Sequence, residues 1–177
     1  TIVLPEGEDA RVLRAARQIV DDGVGSVVLL GEREAVERAA AEADVNLDGI
    51  RLVDPGTRDR IEDLAARYGA HRAISPGVAR RLLRRPLHFG AMMLATGEAD
   101  ALIAGAATPT RRVIEAAAMA IGLAPGIETP SSFFLLTVPA RAAVPERTLV
   151  LADCAVNVDP SPGQLADIAL ASADSAA

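Results

Sequence analysis

The sequence predicts an α/β fold, in which a mostly parallel sheet is flanked by helices on both faces. Short apolar runs alternate with amphipathic helical segments through residues 1–121, an order typical of parallel sheets. Half of the 177 residues are apolar but only 2% are aromatic, so Ala, Val, Leu and Ile must fill the core. A chain of this length can bury one or two packed domains.

Each element follows from its own residues. Strands are predicted where apolar or β-branched runs lie between turn residues, over 1–4, 26–30, 50–53, 101–104, 132–138 and 148–152. Apolar residues at helical spacing predict helices over 12–20, 32–43, 57–69, 76–85, 86–97, 109–121 and 161–177. Ser75 and Pro76 are typical of an N-cap and a first helical position, and Ser161 and Gln164 have capping-box spacing.

The pattern changes in the last third of the chain. Strands 132–138 and 148–152 follow each other without a helix, and the segment before them, 122–130, is rich in Gly and Pro. We therefore predict an α/β domain over residues 1–127 and the start of a second α/β subdomain over 128–177.

Composition excludes several classes of function. The chain has 24 Asp and Glu against 18 basic residues, all of them arginine, so it lacks the positive surface of a nucleic-acid-binding protein. Its single cysteine, Cys154, cannot form an internal disulfide, and no apolar run reaches the roughly 18 residues of a membrane helix. We expect a cytoplasmic protein that binds neither nucleic acid nor membrane.

The turn after the fourth predicted strand is the best candidate for a ligand site, because ligands bind at the carboxyl ends of such strands. The turn after the first strand is acidic and poor for anions, whereas here Gly105 allows close backbone approach, Thr108 can cap the next helix and Thr110 adds a hydroxyl. Free N–H groups and the helix dipole favour an anion. Arg111 and Arg112 stand in a first helical turn, which disfavours cations. These five residues are predicted to bind phosphate; alternatively, both arginines face solvent or pair with carboxylates.

A second basic cluster lies at Arg80, Arg81, Arg84 and Arg85, shortly after Arg72. On a helix over 76–85, spacing of four residues places like charges over one another, and they repel. A polyphosphate such as a nucleotide tail would relieve this repulsion. A solvated basic face explains the cluster at least as well.

Polar side chains also follow the last predicted strand, at Asp153, Asn157 and Asp159. Cys154 beside them is typical of inert core. The two histidines lack the spacing of a metal site, so no metal is predicted.

Several short blocks together resemble phosphate acetyltransferases and phosphate butyryltransferases, over essentially the whole chain. They occur in the family's order at residues 1–6, 11–16, 89–93, 97–100, 103–106, 152–155, 159–160, 164–169 and 172–175. The resemblance implies reversible transfer of a short acyl group between CoA and inorganic phosphate, with acetyl-CoA and acetyl phosphate as the expected pair. It implies a homodimer of two-domain subunits with isocitrate/isopropylmalate dehydrogenase-like architecture, and CoA as substrate with no other cofactor.

The resemblance also implies residue roles in a cleft between the two domains. An aspartate deprotonates the CoA thiol, which attacks the acyl carbon without a covalent enzyme intermediate. Arg72, Arg81 and Arg85 are then expected to bind CoA. Three further polar residues are expected to line the cleft: Asp153, Asn157 and Asp159.

Two departures from the family bear on activity. The family chain is about twice as long, and its aspartate base and neighbouring serine belong to the other half, so the catalytic residues are unknown and the isolated segment is expected to be inactive. The family's phosphate loop has adjacent hydroxyl residues and an arginine one turn later, where this chain has Thr108, Pro109, Thr110 and then Glu115. Arg111 or Arg112 is hypothesised to supply the missing charge. The alternatives are a non-catalytic acyl-CoA-sensing domain and an inactive half-enzyme.

Overall fold

The structure, a computed structural model, describes residues 1–72, 75–141 and 145–176, with the backbone alone at 58–60 and 69–72. Its strands are β1 (Ile2–Leu4), β2 (Val27–Leu30), β3 (Arg51–Val53), β4 (Ala101–Leu102), β5 (Phe133–Val138) and β6 (Arg147–Ala152). Its helices are α1 (Ala10–Asp21), α2 (Arg33–Glu42), α3 (Arg58–Arg72), α4 (Pro76–Leu83), α5 (Pro86–Ala95), α6 (Thr110–Ala120) and α7 (Pro162–Ala176). Each predicted element is present, with its ends shifted by a few residues.

The main sheet has the order β3-β2-β1-β4, and all its strands are parallel. Alternate residues of β2 enter two cores. Val28 and Leu30 pack with α3, α4, α5 and α6 on one face, while Val27 and Leu29 pack with α1 and α2 on the other. The predicted parallel sheet with helices on both faces is confirmed.

Helix α5 lies very close to the sheet at Gly90. A Cβ atom at this position would be 2.9 Å from Leu102 Cδ1 and 3.0 Å from Val3 Cγ1. The glycine therefore lets α5 pack directly against β1 and β4. This contact holds the first turn of α5 near the carboxyl ends of those strands.

The chain divides into two compact units, Thr1–Gly122 and Leu123–Ala177. The second unit contains β5 and β6, which pair as an antiparallel hairpin, followed by α7. The capping box that begins α7 is confirmed, since Ser161 N donates to Gln164 Oε1 at 2.9 Å and Gln164 N to Ser161 Oγ at 3.4 Å. The continuation of this unit into an α/β subdomain stays a prediction. No helix within the described ranges is long and apolar enough to cross a bilayer.

Candidate functional site

The turn after β4 contains a ring of backbone N–H groups that surrounds a carboxylate of the protein itself. Oε2 of Glu6 accepts hydrogen bonds from the N–H groups of Gly105 at 3.0 Å and Ala106 at 2.9 Å. Oε1 accepts from Ala107 at 2.9 Å and from Thr108 at 2.6 Å. Successive N–H groups that converge in this way form an anion-binding concavity.

The expectation of free N–H groups in this turn is therefore wrong for residues 105–108. It failed because β4 lies next to β1 in the sheet, so the acidic turn after β1 reaches the turn after β4. Burial raises the pKa of Glu6, but hydrogen bonds from the Thr108 side chain and from the loop N–H groups outweigh it and lower the pKa overall. Glu6 is thus a carboxylate at neutral pH.

A second contact holds the same loop through a backbone carbonyl group. Nη2 of Arg11 donates to the carbonyl oxygen of Ala106 at 2.6 Å and to Oδ2 of Asp9 at 2.7 Å. Asp9 is the N-cap of α1 and accepts from the Arg11 N–H at 2.8 Å. These hydrogen bonds from Arg11 lower the pKa of Asp9 to about 2. The loop is fixed between an anion and a cation.

A cleft of about 680 Å³ lies beside this loop. Its walls come from the turn after β1, the α4–α5 junction, the loop and α6; they include Pro5, Glu6, Leu82, Arg85, Pro86, Leu87, His88, Thr108, Arg111, Arg112, Glu115 and Met119. The cleft thus unites residues predicted to bind phosphate (Thr108, Arg111 and Arg112) with one predicted to bind CoA, Arg85. Their roles as ligands stay predictions.

Arg85 lies in the cleft because α4 ends before it, two residues earlier than predicted. The helix ends at Leu83, and Arg85 has extended backbone angles as the N-cap of α5. A residue before proline is disfavoured in helical conformation, and Pro86 follows here. The expected single helix over 76–85, with Arg81 stacked below Arg85, is therefore wrong.

The start of α6 also differs from expectation. The N-cap is Pro109, so Thr108 does not cap the helix, and Thr110 is its first residue. Thr110 is exposed and, like Gly105, stands outside the lining of the cleft. Gly105 has a φ of +111°, which residues with a Cβ rarely adopt, and this conformation helps turn the loop N–H groups toward one point.

The two arginines of α6 have different surroundings. The Arg111 side chain is 85% exposed, and its Nε lies 3.5 Å from Oε1 of Glu115. This arginine follows the alternative of pairing with a carboxylate. Arg112 and Arg85 line the cleft and form no ion pair within residues 1–72, 75–141 and 145–176, while the carboxylates of Glu6 and Glu115 belong to the same lining.

The rest of the basic cluster lies away from this cleft. Arg81 is exposed on α4 and does not line it. Arg80 donates through Nε to both carboxylate oxygens of Glu62 at 2.9 Å, so part of the cluster is neutralised. Arg72 ends α3, and its side chain lies outside the described residues.

His88 lines the cleft, although no role is predicted for it in the sequence analysis. Burial lowers its pKa, the positive charge of Arg85 lowers it further, and Glu115 opposes them. The ring is therefore neutral at pH 7 and adds hydrogen-bonding capacity without charge. Its Nδ1 is buried with no partner among the described residues. A single histidine has no spacing pattern, so sequence reasoning could not identify it.

No group of three or more His, Cys, Asp or Glu side chains suited to a metal ion occurs within the described residues.

In the second unit, Asp153 is the centre of a hydrogen-bond network. Its Oδ1 accepts from the N–H and hydroxyl of Ser132 at 2.9 and 2.6 Å, and its Oδ2 from the N–H and side chain of Asn157 at 2.6 and 2.8 Å. Asp159 is exposed. The network ties the segment before β5 to the loop after β6, while a cleft role for these residues stays a prediction.

This network predicts a pH-dependent stability. Burial raises the pKa of Asp153, but hydrogen bonds from Ser132 and Asn157 outweigh it and lower the pKa overall. Since the folded pKa is depressed, the stabilisation is fully present above the unfolded pKa of about 4, decreases below it, and is lost as pH falls through the lower folded pKa. We expect Asp153→Asn to lower the urea midpoint at pH 7, and the difference from the parent chain to be smaller at pH 3. Asp159→Asn, the control in the same loop, should match the parent at both pH values. Equal midpoints for Asp153→Asn and the parent at pH 7 would contradict this expectation.

Comparisons with known proteins identify the family of this chain. The family model described as phosphate acetyl/butaryl transferase matches residues 1–177. A phosphate acetyltransferase of Synechocystis is 37% identical over 180 residues, which cover 99% of this chain and 25% of that protein. One from Acetivibrio thermocellus is 34% identical over 178 residues, covering 99% of this chain and 53% of that protein.

Solved structures show the same relationship. The EutD phosphotransacetylase from Staphylococcus aureus superposes with a TM-score of 0.87 at 32% identity, over 99% of this chain and 52% of its own. A phosphotransacetylase from Streptococcus pyogenes gives a TM-score of 0.80 at 29% identity, over 96% and 51% respectively. The chain spans about half the length of these structures and a quarter to a half of the two relatives. The resemblance in the sequence is confirmed: this chain belongs to the phosphate acetyl/butaryl transferase family.

Proposed function

We propose that the full-length protein containing this chain moves an acetyl or other short acyl group between CoA and inorganic phosphate. The observation that carries the proposal is the cleft, where Arg85 and Arg112 have no ion-pair partner in the described part of the chain. Two guanidinium groups that pair with no carboxylate among the described residues suit a phosphate or acyl phosphate. Family membership supplies the reaction class.

The chemistry needs positioning and charge more than a reactive side chain in this segment. A CoA thiolate attacks the carbonyl carbon of acetyl phosphate, the C–S bond forms, and the C–O bond to phosphate breaks to release phosphate. Arg85 and Arg112 would hold the phosphate and offset the negative charge that grows on its oxygens. Such preorganised cations stabilise the transition state and reduce the entropy lost on encounter. The base that deprotonates the thiol is assigned to no residue of this chain.

The test is an activity assay on the full-length protein. We expect the release of free thiol from acetyl-CoA to require inorganic phosphate and to yield acetyl phosphate in equal amount. Longer acyl-CoA substrates then define the chain-length preference. The absence of phosphate-dependent thiol release with every short acyl-CoA would overturn the proposal.

A second candidate is a non-catalytic domain that senses acyl-CoA. The ion pair between Arg111 and Glu115 favours it, because Glu115 offsets one of the positive charges of the cleft. A sensor would bind acetyl-CoA with the same affinity whether or not phosphate is present, and without turnover. Calorimetric titration with acetyl-CoA, with and without phosphate, separates the two candidates.

The segment of 177 residues covers about half of the solved relatives, and we propose that it is inactive by itself. A homodimeric assembly and a cytoplasmic location also belong to the proposal, as does the use of CoA as substrate without another cofactor. The family resemblance supports the dimer and the use of CoA, and the single cysteine supports the location.

A further inference from the structure

Backbone hydrogen bonds fix the turn that contains Glu6. Gly7 donates its N–H to the carbonyl oxygen of Leu30 at 3.2 Å, and Asp9 donates its N–H to the carbonyl oxygen of Glu6 at 3.0 Å. A Cβ on Gly7 would lie 2.7 Å from the Leu30 oxygen, so the turn packs tightly against the end of β2. The backbone position from which the Glu6 side chain extends is therefore fixed.

The loop that Glu6 binds leads directly into the cleft. Both carboxylate oxygens are used, each by two N–H groups of residues 105–108. Thr108 is the last residue of that run, and α6 with Arg112 begins two residues later. The position of Thr108 and of the first turn of α6 thus depends on the conformation that Glu6 imposes.

The same contacts bear on how an incoming phosphate binds. A second oxyanion cannot use these four N–H groups while the carboxylate occupies them. Displacing Glu6 would leave a charged side chain without its hydrogen bonds, and a carboxylate on the same chain loses little translational freedom on binding. Phosphate is left with the side chains that face the cleft.

We propose that Glu6 is a positioning residue for the phosphate site: it fixes the loop at residues 105–108, and phosphate binds to cleft side chains instead of to these N–H groups. The inference rests on the proposed function. Arg11 assists from the other side of the loop through its contact with the Ala106 carbonyl.

The test compares Glu6→Gln with Glu8→Gln in the full-length protein. Glutamine keeps the shape of Glu6 but turns an NH₂ group toward loop N–H donors, whereas Glu8 is an exposed carboxylate two residues away without a hydrogen-bond partner in the described chain. We expect Glu6→Gln to raise the KM for phosphate about tenfold, since a displacement of about 1 Å can cost up to about 100-fold. The KM for acetyl-CoA should stay within about twofold, and Glu8→Gln should match the parent.

Hydrogen exchange supplies the readout that ties the kinetics to the loop. Amide exchange at 105–108 should quicken in Glu6→Gln and stay unchanged when phosphate is added to the parent. A role in stability alone would leave the ratio of the two KM values unchanged in folded protein, and this result would overturn the inference. Protection of these amides in the parent by added phosphate would overturn it as well.

A second variant covers the case in which Glu6→Gln does not fold. Arg11→Gln removes the contact with the Ala106 carbonyl and leaves Glu6 in place, and it should raise the phosphate KM in the same direction by a smaller factor. An unchanged phosphate KM in that variant would overturn the inference. If the parent protein shows no phosphate-dependent turnover, the proposed function is overturned. If the parent is active and the Glu6→Gln variant has the same KM for phosphate, only the inference is overturned.

Discussion

Replacing Arg112 with alanine is expected to raise the KM for phosphate of the full-length protein about tenfold or more. The Arg112 guanidinium lines the cleft and has no ion-pair partner within the described part of the chain, so it is available to a phosphate ligand. A charge-assisted hydrogen bond contributes roughly 1.5–3 kcal/mol, and about 1.4 kcal/mol corresponds to a factor of ten. Steady-state kinetics in the direction of acetyl phosphate formation measures the change.

The neighbouring arginine provides the contrast within this prediction. Arg111 is largely exposed and already pairs with Glu115, so Arg111→Ala should change the phosphate KM much less. The double variant should therefore resemble Arg112→Ala alone. Arg38, an exposed arginine on α2 at the opposite face of the sheet, is the control and should leave both KM values unchanged when replaced. An Arg112→Ala enzyme with the parent's phosphate KM would remove Arg112 from the binding site.

Phe89→Ala is expected to cause a large loss of stability. The side chain is 0% exposed and lies in the core between the sheet and α3, α4 and α6. Deleting a buried aromatic ring costs about 3–5 kcal/mol, because the lost transfer free energy adds to the cost of the cavity that remains. Urea unfolding of the 177-residue chain, followed by circular dichroism, measures the change in the free energy of unfolding.

Two companion variants show whether the cavity is the cause. Phe89→Leu keeps most of the volume and should lose clearly less than Phe89→Ala. Phe134 on β5 is 64% exposed, so Phe134→Ala should change the free energy of unfolding by less than about 1 kcal/mol. If Phe89→Ala and Phe134→Ala were equally stable, the assigned core position of Phe89 would be incorrect.

The strands and helices could be predicted because their signals are local. The continuous apolar run that forms β2 indicated a buried parallel strand, and the Ser161–Gln164 spacing gave the start of α7. The end of α4 was also within reach of the sequence, since Pro86 disfavours a helical conformation at Arg85.

Part of the candidate site could be predicted for the same reason. The turn at residues 105–112 was identified from its small residues, hydroxyls and paired arginines, and the structure places three of these residues in the cleft. Which arginine has a free charge was not accessible, because it depends on where the Glu115 carboxylate lies. His88 was missed because only the packing of α5 brings it to the cleft.

By itself, the sequence determined the alternation of strands and helices, the family, and the turn that contains the candidate site. The tertiary structure alone decided that β4 lies beside β1, which brings Glu6 to N–H groups about a hundred residues away in the chain. The physical reason is that strand order follows from packing helices on both faces of the sheet, a property of the whole domain. An acidic turn and an N–H-rich turn were each visible in the sequence, but their pairing required the sheet.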